Sequence, residues 1–108
     1  MTLKTVALVM LCVFAISCTV KAPIPSEEDA VYVKSLVGEV SLAELKSGGK
    51  LYEGRCGNCH RLYEPKTYSP KRWEKKLFKM SDEAKLTDNE YDSIRKYLFA
   101  MCKKPETN

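Results

Sequence analysis

Two cysteines and the only histidine of the chain fall within five consecutive residues, Cys56-Gly57-Asn58-Cys59-His60. Two thiols one helical turn apart match the two vinyl groups on one edge of a porphyrin, and the next residue brings an imidazole to the iron. This spacing is the attachment signature of c-type haem. A chain of 108 residues with 30% charged residues and five prolines has little core to spare and is expected to need a staple. Two thioethers and one iron–nitrogen bond from Cys56, Cys59 and His60 supply it. The same residues admit two other chemistries. A redox dithiol also uses C-x-x-C, but on a strand–helix scaffold that this sequence does not show. A zinc site would have to complete Cys56, Cys59 and His60 with the distant Cys102. The length excludes a large enzyme core, a two-domain nucleotide fold and a polytopic membrane protein.

Ahead of this motif the chain opens with an export signal. Lys4 precedes an apolar run from Val6 to Ile16, the basic and hydrophobic regions of a secretory leader, too short to span a membrane. The run ends in Ala15-Ile16-Ser17-Cys18, which resembles a bacterial lipoprotein processing site. In that family the leader is cut before the cysteine and the thiol receives a diacylglycerol. The resemblance implies a signal peptide over residues 1–17, lipidation of Cys18, and a mature protein anchored to a bacterial membrane on the periplasmic or cell-surface side. The alternative is an ordinary cleavage site that leaves Cys18 as a thiol. Residues 19–29, two prolines followed by three acids, read as an extended, mobile tether. Residues 30–40 are ambiguous, because Val31, Val33, Val37 and Val40 suit a strand while Ser26 before three acids suits a helix cap. The expected organisation is a tether and N-terminal segment over 18–40 and a domain over 41–108.

From Ser41 onward the periodicity is helical. Ser41 and Glu44 form a capping-box pattern, with Leu42, Leu45 and Tyr52 along one side of a helix that Gly48 and Gly49 are expected to interrupt. Ser69-Pro70 reads as an N-cap and first-turn proline, after which Trp73, Leu77 and Met80 share a face. Thr87 and Glu90 make another capping box, and Tyr91, Ile94, Leu98 and Met101 form the stripe of a last helix. Lys103 and Lys104 favour its negative end and Pro105 stops it. No segment alternates with a period of two, so the domain is expected to be all-α. Of the five cysteines, Cys12 leaves with the leader and Cys102 remains unassigned, either a small buried hydrophobe or one half of an intermolecular disulfide.

With these residues in view, positions 41–102 resemble the small monohaem class I cytochromes c. That family carries a glycine eight residues before the first haem cysteine and an aromatic four before it, here Gly48 and Tyr52, and an apolar residue three before a Tyr-Leu pair, here Ile94, Tyr97 and Leu98. The resemblance implies a bundle of short helices around one covalent haem c, with the glycine letting the N-terminal and C-terminal helices cross closely. It implies His60 as proximal ligand and Met80, ahead of the last helix, as the sixth. The segment from His60 to Trp73 lacks the family's Pro-x-Leu-x-Gly stretch, leaving Pro65 or Pro70 to supply the carbonyl that orients the imidazole. Tyr63, Tyr68 and Trp73 read as packing around the haem, with a tyrosine or tryptophan able to donate to a propionate.

The expected function is one-electron transfer by a membrane-tethered carrier and not catalysis, since no second histidine or paired acid–base set is present. The alternative is a five-coordinate haem domain that binds a small gas or anion, with Met80 merely core. A subunit role in a larger oxidase or reductase is also open. The formal net charge of +4 is too mild, and too poor in interleaved aromatics, for nucleic acid. The basic residues concentrate between Lys66 and Lys85, where Lys71, Arg72, Lys75, Lys76 and Lys79 also lie. They read either as the solvated face of a helix or as a docking surface for an acidic redox partner.

Overall fold

The computed structural model describes residues 21–57 and 61–102. The leader, Cys18, Cys59, His60, Lys103, Lys104 and Pro105 lie outside the described residues. Within them the chain forms four α-helices and no strand: α1 (Glu27–Val37), α2 (Leu42–Leu51), α3 (Pro70–Ala84) and α4 (Asp88–Met101). Among the described residues no helix is long and apolar enough to cross a membrane.

Local chemistry fixes the helix starts. Ser26, Ser41 and Thr87 each accept from the backbone N–H three residues on, while Asp29, Glu44 and Glu90 reach back to the cap N–H, giving three complete capping boxes. Ser69 caps α3 with Pro70 in its first turn. The ends are equally local. Gly38, at φ 84°, ends α1 by donating to the Lys34 carbonyl. At the end of α3, Lys85 takes the left-handed conformation at φ 53°, and Leu86 N–H donates to the Ser81 carbonyl, which closes a Schellman turn.

α4 is the centre of the domain and packs against α1, α2 and α3. Its half from Tyr97 to Met101 is therefore buried on every side, whereas α3 buries only Trp73 and Leu77 and leaves Phe78 75% exposed. The capping box decides the ambiguous N-terminal segment in favour of helix, and Ala30, Val33 and Val40 join the same core as Leu45 and Ile94. The stretch read as a tether is thus helical from Glu27. The expected interruption at Gly48 and Gly49 is also corrected: α2 runs through both glycines. The reason lies in the partner helix. A Cβ on Gly48 would collide with the Ser93 carbonyl oxygen and sit 2.9 Å from Tyr97 Cβ, and one on Gly49 would sit 2.9 Å from Tyr97 Cε2. Helix propensity disfavours glycine here by about 1 kcal/mol per residue; the close crossing of α2 and α4 requires it.

Candidate functional site

Beyond Leu51 the helix does not stop but widens into a π-helical segment, Tyr52–Cys56. The Tyr52 N–H is shared between the Gly48 and Gly49 carbonyls, and Gly57 N–H closes the segment on the Glu53 carbonyl at 3.2 Å. Single π-turns inside α-helices are rare and concentrate at functional sites. This one delivers Cys56, only 3% exposed, into the core cluster.

Three contacts hold this segment. Tyr52 is fully buried between Trp73, edge-on at 6.0 Å between ring centroids, and Tyr97, at 5.9 Å. Its hydroxyl donates to the Tyr63 carbonyl beyond the motif. Burial pushes the Tyr52 phenol well above its ordinary pKa, so it stays a neutral donor. Trp73 Nε1 donates to the Pro65 carbonyl at 2.7 Å. Tyr52 and Trp73 thereby pin the segment after His60 at two backbone oxygens. Trp73 has a single N–H, and here it is engaged by the Pro65 carbonyl. Tyr68 and Tyr63 continue the aromatic row, at 5.2 Å from Trp73 to Tyr68 and 5.9 Å from Tyr68 to Tyr63.

The third contact is one that sequence reasoning missed. Arg55, immediately before Cys56, donates from Nη2 to the Ala84 carbonyl at 2.9 Å and to the Lys85 carbonyl at 3.3 Å. Its Nε lies 3.4 Å from Glu90 Oε2. The other carboxylate oxygen of Glu90 accepts the Thr87 N–H. Hydrogen bonding to the Thr87 backbone and hydroxyl, helped by Arg55, holds the Glu90 carboxyl below its ordinary range. One guanidinium therefore ties the residue before Cys56 to the end of α3 and the start of α4. No local pattern announces this, because the partners are backbone oxygens 29 and 30 residues away.

Of the residues singled out from the sequence, Cys56 and Met80 are described. Met80 is half-buried on α3 and packs against the core cluster. It precedes Ala84, the residue Arg55 grips, by one helical turn. Met101 is buried on α4 with Ile94 and Leu98. Cys102 is buried too, its thiol donating to the Phe99 carbonyl at 3.2 Å, as expected of a small hydrophobe that caps the last helix. Cys18, Cys59 and His60 lie outside the described residues. Cys56 thus offers a buried thiol, and Met80 a soft thioether sulfur on α3, a helix that contacts the π-helical segment. The basic stretch divides. Lys71, Lys75 and Lys79 are exposed, while Lys76 lies over the Tyr68 ring at 4.5 Å and Arg72 over the same ring at 5.0 Å.

No protein-family model, no curated protein and no solved structure matches this chain.

Proposed function

We propose that the protein is a one-electron carrier, a monohaem c-type cytochrome of class I type, anchored through Cys18 to a bacterial membrane on its periplasmic or outer side. The observation that carries this reading is Cys56-x-x-Cys59-His60, holding the only histidine of the chain, at the end of a helix that α4 crosses at Gly48. When bound, haem c supplies an Fe(III)/Fe(II) couple. Cys56 and Cys59 would hold the group by thioether bonds, and His60 and Met80 would ligate its iron. A thioether sulfur favours ferrous iron and raises the potential. The wall of Tyr52, Trp73 and Tyr97 keeps water from the core beside Cys56. Tyr52 and Trp73 keep the segment after His60 from shifting on oxidation or reduction, which lowers the reorganisation that each electron transfer demands. The exposed Lys71, Lys75 and Lys79 of α3 support a redox partner with an acidic docking surface, such as an oxidase or reductase, by steering the encounter.

Absorption spectra of the oxidised and reduced protein, with acidified organic extraction, test the reading. The porphyrin is expected to stay with the polypeptide, and the reduced protein to resist carbon monoxide. A polypeptide carrying no covalent porphyrin would overturn the whole reading. Ready carbon monoxide binding by the native reduced protein would instead mark a five-coordinate gas- or anion-binding domain.

A further inference from the structure

The chain is fastened to the core much closer to its anchor than a tether would be. Ala22 packs against the core cluster, Pro25 is buried, and the Tyr97 hydroxyl donates to the Pro23 carbonyl at 2.7 Å. Tyr97 is itself packed against Gly48, Gly49 and Tyr52, so Pro23 is held by a residue of the buried core. α1 follows at once, capped by Ser26. Between the two prolines, Ile24 is left 81% exposed. Lys21 is exposed beside it.

We infer that Lys21–Ile24 is a membrane-contact site whose partner is the phospholipid headgroup layer that also receives the lipid on Cys18; the inference rests on Cys18 being lipidated. Only Thr19, Val20 and Lys21 separate Cys18 from Ala22. Even fully extended, those four Cα–Cα steps reach about 14 Å, less than half the thickness of a bilayer's hydrocarbon core. The start of the domain is therefore held within about 14 Å of its anchor, and the residues nearest the anchor meet lipid first. A single exposed isoleucine on a protein surface is ordinary; chain length is what brings this one to the interface. Its chemistry suits that position, with an apolar side chain for the acyl–headgroup boundary and, three residues earlier, an amine for lipid phosphate.

The test uses the lipidated holoprotein in phosphatidylethanolamine–phosphatidylglycerol vesicles that carry a photoactivatable diazirine phospholipid. After irradiation, lipid adducts mapped by mass spectrometry are expected to concentrate on Lys21–Ile24 and to spare α3 around the also exposed Phe78. Ile24→Asp, at a surface position where folding is not at stake, is expected to cut adduct yield about threefold by penalising insertion. Adducts centred on α3, or an unchanged yield in Ile24→Asp, would overturn the contact site. The intact mass of the N-terminal peptide is read in parallel. A Cys18 without diacylglycerol removes the anchoring reading and this one with it, whereas a lipidated Cys18 with no adducts at 21–24 removes this one alone.

Discussion

Gly48 lies against Tyr97 so closely that a single methyl on the glycine would stand 2.9 Å from Tyr97 Cβ and collide with the Ser93 carbonyl. The crossing of α2 and α4 is thus set by backbone against backbone at Gly48 and by backbone against ring at Gly49. Gly48→Ala is expected to lose about 2 kcal/mol in urea unfolding, since overpacking costs roughly 1–3 kcal/mol and Ser93's backbone has nowhere to go. Gly49→Ala is expected to cost less than Gly48→Ala, about 1 kcal/mol, because its nearest neighbour is the side-chain ring of Tyr97 and not backbone, and the gain in helix propensity offsets part of the clash. Equal costs at the two positions would contradict this division.

The glycine pair also shows where sequence reading runs out. Ser41 with Glu44, Thr87 with Glu90, and Ser69 with Pro70 were legible because each cap is complete within four residues. Gly48 and Gly49 read locally as breakers, and only Tyr97, arriving from the far end of the chain, makes them continuous with a helix. α1 was ambiguous because β-branched Val31, Val33 and Val37 compete with a cap whose strength depends on Asp29 reaching back to Ser26. The Cys56-x-x-Cys59-His60 pattern is made of adjacent residues and needs no fold to be seen. The Arg55 bridge, the hold of Tyr52 on Tyr63 and the hold of Tyr97 on Pro23 all depend on backbone oxygens distant in sequence, for which no sequence signal exists.

Arg55 joins the residue before Cys56 to two helix ends, so its loss should be felt at both. Arg55→Met keeps the aliphatic stem and removes the donors; with the side chain partly exposed, about 1–2 kcal/mol of stability is expected to go, as for a hydrogen bond from a charged donor. The Glu90→Gln variant should lose less, since an amide oxygen still caps Thr87 N–H. In a double-mutant cycle the pair should couple, and additive effects would mean that the guanidinium works through Ala84 and Lys85 alone.

Lys85 adopts a left-handed conformation that costs a residue with a Cβ about 1 kcal/mol, and it does so to close the Schellman turn after α3. Lys85→Gly is expected to raise stability by about 0.5–1 kcal/mol. Thermal unfolding followed by circular dichroism reads this directly, and a lower midpoint would show that the lysine side chain has a stabilising contact that outweighs the strain.

Acid should loosen the capping boxes. The Ser41 backbone and hydroxyl hold the Glu44 carboxyl below its ordinary value, and Thr87 does the same for Glu90. A carboxyl depressed in the folded state stabilises the fold above its unfolded pKa of about 4.3, and that contribution is lost as pH falls through the lower, folded value. The urea midpoint is therefore expected to fall as pH drops below about 4.5. Glu44→Gln with Glu90→Gln should flatten this acid limb while lowering stability at pH 7. A wild-type and variant limb of the same slope would assign the acid sensitivity to other groups.

In the proposed cytochrome, Met80 and Met101 are the two methionines that compete for the sixth ligand position, and their surroundings differ. Met101 is buried on α4 in line with Ile94 and Leu98, the helix that every other helix packs against, so its sulfur sits where packing needs it. Met80 is only half-buried and stands one turn ahead of the α3 end that Arg55 fastens beside Cys56. Met80→Ala is expected to abolish the weak far-red sulfur-to-iron band of the oxidised protein, open the reduced protein to carbon monoxide and lower the potential, because a soft ligand that favours ferrous iron is gone. Met101→Ala is expected to keep the band and lose about 2–5 kcal/mol of stability, the usual range for emptying a buried methionine site. A band that survives in Met80→Ala and vanishes in Met101→Ala would reverse the assignment and require α4, not α3, to present the ligand.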